Sequence, residues 1–183
     1  MDAFVAHENI EPTQEWALEL ELALRSMHAL CAIVTPDFHT SLWCDQEVGF
    51  ALGRPAPVLT VRSGADPYGL MGKAQAIPSA DGADAMAERV FNVLMKLESC
   101  KTFVMQGLVT SLENAGTYAS AKQLTKRLVG AQRHLSDDQV RRLLHAAVTN
   151  SQVSEASFVP EQIKAIAKAA GIPIPEANDD IPF

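Results

Sequence analysis

Two short apolar runs, Leu30-Cys31-Ala32-Ile33-Val34 and Pro57-Val58-Leu59-Thr60-Val61, constrain the fold of this chain more than any other feature. Each has the length of a strand and is rich in branched side chains. Pro36 stops the first, and Gly64, Pro67 and Gly69 make a loop after the second. Apolar runs without polar alternation suit strands covered on both faces, the usual setting of a parallel sheet. Between them, Thr40/Ser41 open and Gly53/Pro55 close a helix over residues 40–53. Strand, helix and strand in that order imply a right-handed crossover and a parallel pair.

The flanking segments extend the pattern. Phe4-Val5-Ala6 is a short apolar segment ended by the polar loop His7–Thr13. Residues 13–27 read as a helix, with Trp16, Leu20, Ala23, Leu24 and Met27 on one face. Thr13 suits its N-cap, and Glu15 faces the positive helix end. A short, weak strand is expected near Ala74–Ile77, then a helix over 82–98 with Met86, Val90, Val93, Leu94 and Leu97 on one side. After residue 99 strands give way to helices at about 101–114, 118–131, 137–149 and 160–170. Ser136 caps the third of these, and Val140, Leu143, Leu144, Ala147 and Val148 form its apolar stripe. The expected organisation is an α/β domain over 1–99, a helical module over 100–171, and an extended or disordered tail over 172–183.

Composition narrows the function. Hydrophobic residues make up 48% of the chain, enough for a core. No apolar run approaches the roughly 20 residues that span a bilayer. The first residues lack the basic start and apolar stretch of a signal peptide, so a cytoplasmic address is expected. Cys31, Cys44 and Cys100 follow no C-x-x-C spacing, which speaks against a zinc site or a disulfide framework, and Cys31 reads as a small buried residue. Residues 1–99 carry a net charge of −8 and residues 100–183 of +1, no footprint for DNA or RNA. Lys122, Lys126, Arg127, Arg133, Arg141 and Arg142 are a modest exception, read as solvated helix faces. No P-loop, G-x-G-x-x-G or G-x-S-x-G occurs.

One set of motifs goes further. The stretch Phe4–Trp16, the run Leu30–Thr35 with Pro36-Asp37-Phe38, and the segment Ser41-Leu42-Trp43-Cys44-Asp45-Gln46-Glu47-Val48-Gly49-Phe50-Ala51-Leu52-Gly53-Arg54 stand in a fixed order. They resemble the second strand and its loop, the third strand and the third helix of bacterial Toll/interleukin-1 receptor (TIR) domains. Pro57–Arg62 and Asp66-Pro67-Tyr68-Gly69 continue the resemblance, which covers residues 4–77. A W-x-x-x-E motif is weak alone. Preceded by a strand and T-P-x-F, and followed by Gly-Arg-Pro and another strand, it is specific.

The resemblance implies a flavodoxin-like parallel sheet of order 2-1-3-4-5. The spacing from Phe4 to Glu47 has no room for the family's first strand and helix. The chain is therefore expected to start at the second strand, with the central position of the sheet left open. Upstream sequence, another segment or chain, or direct pairing of strands 2 and 3 are the three ways to complete it.

The resemblance also implies a chemistry. Some family members cleave NAD⁺ at the nicotinamide–ribose bond, which makes NAD⁺ the substrate and requires no further cofactor. Such cleavage passes through an oxocarbenium-like state. A carboxylate beside the ribose stabilises the developing charge, and neutral nicotinamide leaves without a strong acid. In the family this carboxylate is the glutamate matched by Glu47. Trp43 stands one helical turn away and offers a face for a heteroaromatic ring. Asp45, His7 and Ile10 are the further expected substrate contacts. Glu8, Asn9, Glu11 and Pro12 fall in the loop that mediates contacts with other TIR domains. From spacing alone, Trp43 reads as a packing residue and Glu47 as a solvated helix acid. Arg54, Arg62 and Lys73 are the cations available to a pyrophosphate, each readable as a surface charge. The implied role is bacterial defence, including defence against phage, or signalling switched by self-association. The rival reading is a non-enzymatic module that binds other TIR domains.

Overall fold

The computed structural model describes residues 16–175. The expected strand at Phe4–Ala6, the loop His7–Thr13 and the tail from residue 176 lie outside them. The chain divides into two compact units between Cys100 and Lys101.

In the N-terminal unit α1 (Trp16–Ser26), β1 (Leu30–Val34), α2 (Leu42–Leu52), β2 (Val58–Arg62), β3 (Ile77–Pro78) and α3 (Ala83–Leu94) follow in order, with 3-10 turns at Phe38–Thr40 and Gly69–Lys73. The described strands form one sheet of order β1-β2-β3, parallel throughout, with Leu30 opposite Val58 and Val61 opposite Ile77. This is the α/β layout that the two apolar runs imply. β2 begins at Val58 rather than Pro57, because proline has no N–H for the ladder. The Pro57 carbonyl still accepts from the Leu30 N–H at 3.0 Å. The helix expected over 82–98 ends at Leu94, and a new helix starts at Glu98 after a turn closed by Leu97 N–H to Leu94 C=O.

Register fixes which side chains share a face. Ala32, Val34 and Thr60 point to one side, where Phe38, Val48 and Met71 complete a cluster with Ala32 and Val34. Cys31, Ile33, Leu59, Val61 and Ile77 point to the other. There Leu59, Val61 and Ile77 are buried, whereas Ile33 is 55% exposed and Cys31 is exposed. Among the described strands, β2 alone is buried on both faces. The expectation that β1 is covered on both, and that Cys31 is buried, is corrected: the burial of Leu59, Val61 and Ile77 does not extend to Cys31 and Ile33 on the same face.

Among its described residues the C-terminal unit is all helical: α4 (Glu98–Glu113, which carries the division in its first turn), α5 (Tyr118–Ala131), α6 (Asp137–Thr149), α7 (Ser151–Ser154) and α8 (Val159–Ala169). Capping boxes open α5 and α6. The Ser136 hydroxyl accepts from Gln139 N–H, and the Gln139 side chain accepts from Ser136 N–H. α6 packs on α8, and α5 on α7 and α8, around Leu128, Val140, Leu143, Val153, Val159 and Ile163. Gly171, at φ +70°, ends α8 and lets Ile172 N–H bond the Ala167 carbonyl at 2.9 Å. Ile172, the first residue of the expected tail, is thereby buried. Arg142 belongs to no free basic surface. Its guanidinium grips both Glu113 carboxylate oxygens, at 2.7 and 2.5 Å, and donates to the Thr110 hydroxyl.

Thr125 lies within this core, and its hydroxyl has no hydrogen-bond partner among the described residues. A buried hydroxyl of this kind carries its desolvation cost uncompensated, and valine has the same shape. Thr125→Val is expected to stabilise the protein by about 1 kcal/mol in urea denaturation. A loss of stability would show that the hydroxyl is satisfied.

Candidate functional site

α2 carries the residues singled out by the sequence. Ser41 caps it by accepting from Cys44 N–H at 3.3 Å, and Gly53 closes it. Val48 and Ala51 turn inward as its buried line. At 3.6 residues per turn, Glu47 stands about 40° around the helix from Trp43, and Asp45 about 200°. The two flanks of the buried line therefore differ. Trp43, Glu47, Phe50 and Arg54 share one; Asp45 lies on the other.

The first flank is tied to α1. The Arg54 guanidinium donates to the Leu24 carbonyl and lies over the Phe50 ring, 5.9 Å from its centroid. Glu47 is half-buried, and loss of water around its carboxyl pushes its pKa above the ordinary value. Trp43, one turn earlier, keeps 45% of its surface exposed. A partly desolvated acid beside an accessible indole can stabilise positive charge on a ligand whose ring rests on the indole.

The second flank meets the loop after β2. The Tyr68 hydroxyl donates to the Asp45 carboxylate, and this bond pushes the Tyr68 pKa up to about 12. The Tyr68 ring sits edge-on to Phe38, with centroids 6.5 Å apart. The same loop is drawn onto the segment after β1. Ser63 N–H bonds the Val34 carbonyl at 3.0 Å, and Gly64, at φ +95°, leaves room for Pro36 where a Cβ would come within 3.1 Å. All of these groups lie beyond the carboxyl ends of β1 and β2, the edge at which open parallel sheets bind ligands.

Within α2, Trp43 and Glu47 thus stand on one flank, as their spacing requires, and Asp45 on the other. His7, Ile10 and the loop residues Glu8, Asn9, Glu11 and Pro12 lie outside the described residues. Of the three cations, Arg54 serves the α1 contact and Arg62 pairs with Asp66 at 2.6 Å on the surface, while Lys73 is exposed. Tyr68 is not among the site residues expected from the sequence, where it stands only in the loop after the second strand and in the continuation of the resemblance. Its one legible signal was an aromatic hydroxyl in a loop at the carboxyl edge, with Asp45 on the flank of α2 opposite Trp43.

Among the described residues no group of three His, Cys, Asp or Glu is placed to hold a metal ion. No helix among them is long and apolar enough to cross a membrane. No curated protein and no solved structure matches the chain. A family model does: the one described as TIR domain matches residues 1–91. With the parallel sheet, the helix bearing Trp43 and Glu47 and the loops at its carboxyl edge, the N-terminal half of this chain belongs to the TIR domain family.

Proposed function

We propose that the TIR domain of this chain cleaves NAD⁺ at the nicotinamide–ribose bond, by hydrolysis or cyclisation, with Glu47 as the catalytic carboxylate. The observation that carries this reading is the half-buried Glu47 carboxyl one helical turn from the exposed indole of Trp43. Glu47 stabilises the oxocarbenium-like ribose as nicotinamide leaves, and Trp43 offers its face to a ring of the substrate. Association with other TIR domains switches the activity, in a bacterial defence or signalling role in the cytoplasm. The test is nicotinamide release from NAD⁺ by the concentrated full chain, followed by chromatography. Wild-type protein releases nicotinamide and Glu47→Ala does not; silence from folded wild type at high concentration sinks the enzymatic reading.

Leu42 at 77% and Leu70 at 60% exposure favour a second reading, a non-enzymatic TIR–TIR interaction module. That module would associate equally well as wild type or Glu47→Gln.

A further inference from the structure

The first turn of α2, which carries Trp43, is held by packing only through half-buried Cys44, since Leu42 is 77% exposed. Helix first turns leave N–H groups without intrahelical partners and fray unless tied. Two side-chain bonds help tie it: the Ser41 cap, and the Tyr68 hydroxyl on the Asp45 carboxylate. The loop that supplies Tyr68 is itself fixed. Gly72 N–H bonds the Tyr68 carbonyl at 3.2 Å, and a Cβ on Gly72 would stand 3.0 Å from the Pro67 carbonyl oxygen. Phe38, buried in the cluster under α2, holds the Tyr68 ring edge-on.

We propose that Tyr68 is a positioning residue: it latches the loop after β2 onto the first turn of α2 and so sets the placement of the Trp43 indole beside Glu47. The role at the site rests on the NAD⁺-cleaving reading above; the latch itself does not. A hydrogen bond to an ionised acceptor is strong enough for the task. Tyr68 acts through Asp45, from the flank of the helix opposite Trp43, and touches no substrate.

The full chain labelled with 5-fluorotryptophan gives two ¹⁹F signals, from Trp16 and Trp43, and Trp43→Phe assigns them. Tyr68→Phe removes only the hydroxyl. The Trp43 signal is expected to shift and broaden while that of Trp16 stays. KM for NAD⁺ is expected to rise about five- to tenfold, with kcat within about twofold. Asp45→Ala should reproduce both effects, and the double variant should add nothing to either. An unmoved Trp43 signal with unchanged KM in Tyr68→Phe overturns the latch. So does a shift of both tryptophan signals with a falling melting temperature, which would mark a general structural role. If wild-type protein does not cleave NAD⁺, the functional reading falls, and the Trp43 signal alone decides the latch.

Discussion

Glu47→Gln is expected to lower NAD⁺ cleavage by about 10²–10³-fold or more, the range for removing a group aimed at transition-state charge. The same substitution is expected to leave the protein at least as stable as wild type at neutral pH. The reason is the environment of the carboxyl. Burial raises its pKa from the ordinary value of 4.5, so folding favours the protonated form. Its contribution to stability is fully present below 4.5 and is lost as pH rises through the raised value. Glutamine has no charge to desolvate, so the difference in stability between wild type and Glu47→Gln should move in favour of the variant as pH rises across that window. Activity should run the other way. The ionised carboxylate stabilises the cationic ribose, so the acid limb of the rate profile should be displaced upward, in the direction in which burial moves this carboxyl. Urea denaturation and nicotinamide release, measured on both proteins between pH 4 and 8, test the two together. A Glu47→Gln protein that is both inactive and clearly less stable would make Glu47 a structural acid.

Asn150→Ala is expected to cost about 2–4 kcal/mol, through three hydrogen bonds lost from one side chain. The Asn150 amide donates to the carbonyls of Glu113 and Ala115, at 2.9 and 3.1 Å, and so satisfies the end of α4. Its oxygen accepts from Gln152 N–H at 2.8 Å and opens α7. Helix ends with orphaned carbonyls and N–H groups are costly away from water. Glu113 is already engaged through its carboxylate by Arg142, so the same residue anchors two joints between helices. For a unit of this size the loss should lower the melting temperature by about 10 °C or more. Asn150→Asp separates the two halves: it keeps the acceptor for Gln152 but sets a carboxylate against two carbonyls, and should be no better than alanine. A cost below about 1 kcal/mol for Asn150→Ala would mean that water replaces these bonds.

Much of the scaffold was legible because its signals are local. Leu30–Val34 is a strand with the expected ends, Asp137–Thr149 is a helix with the expected ends, and Ser136 caps it. Breakers and caps act over three or four residues, so the sequence alone locates them. The short helix Ser151–Ser154 and the 3-10 turns at Phe38–Thr40 and Gly69–Lys73 carry too few residues for any period to show.

The site divides along the same line. That Trp43 and Glu47 share a face of one helix follows from their spacing, which the sequence alone determines, and the motif order around them carried the likeness to TIR domains. Three things were decided only in three dimensions. Cys31 and Ile33 are exposed while Leu59 and Val61 on the same face are buried, and no property of an apolar run reports how far its neighbours reach. Asp45 faces Tyr68, 23 residues away in sequence, because two loops leave the same edge of a parallel sheet. The Glu47 carboxyl has a raised pKa because burial takes water from it, and desolvation belongs to the packing rather than to the residue.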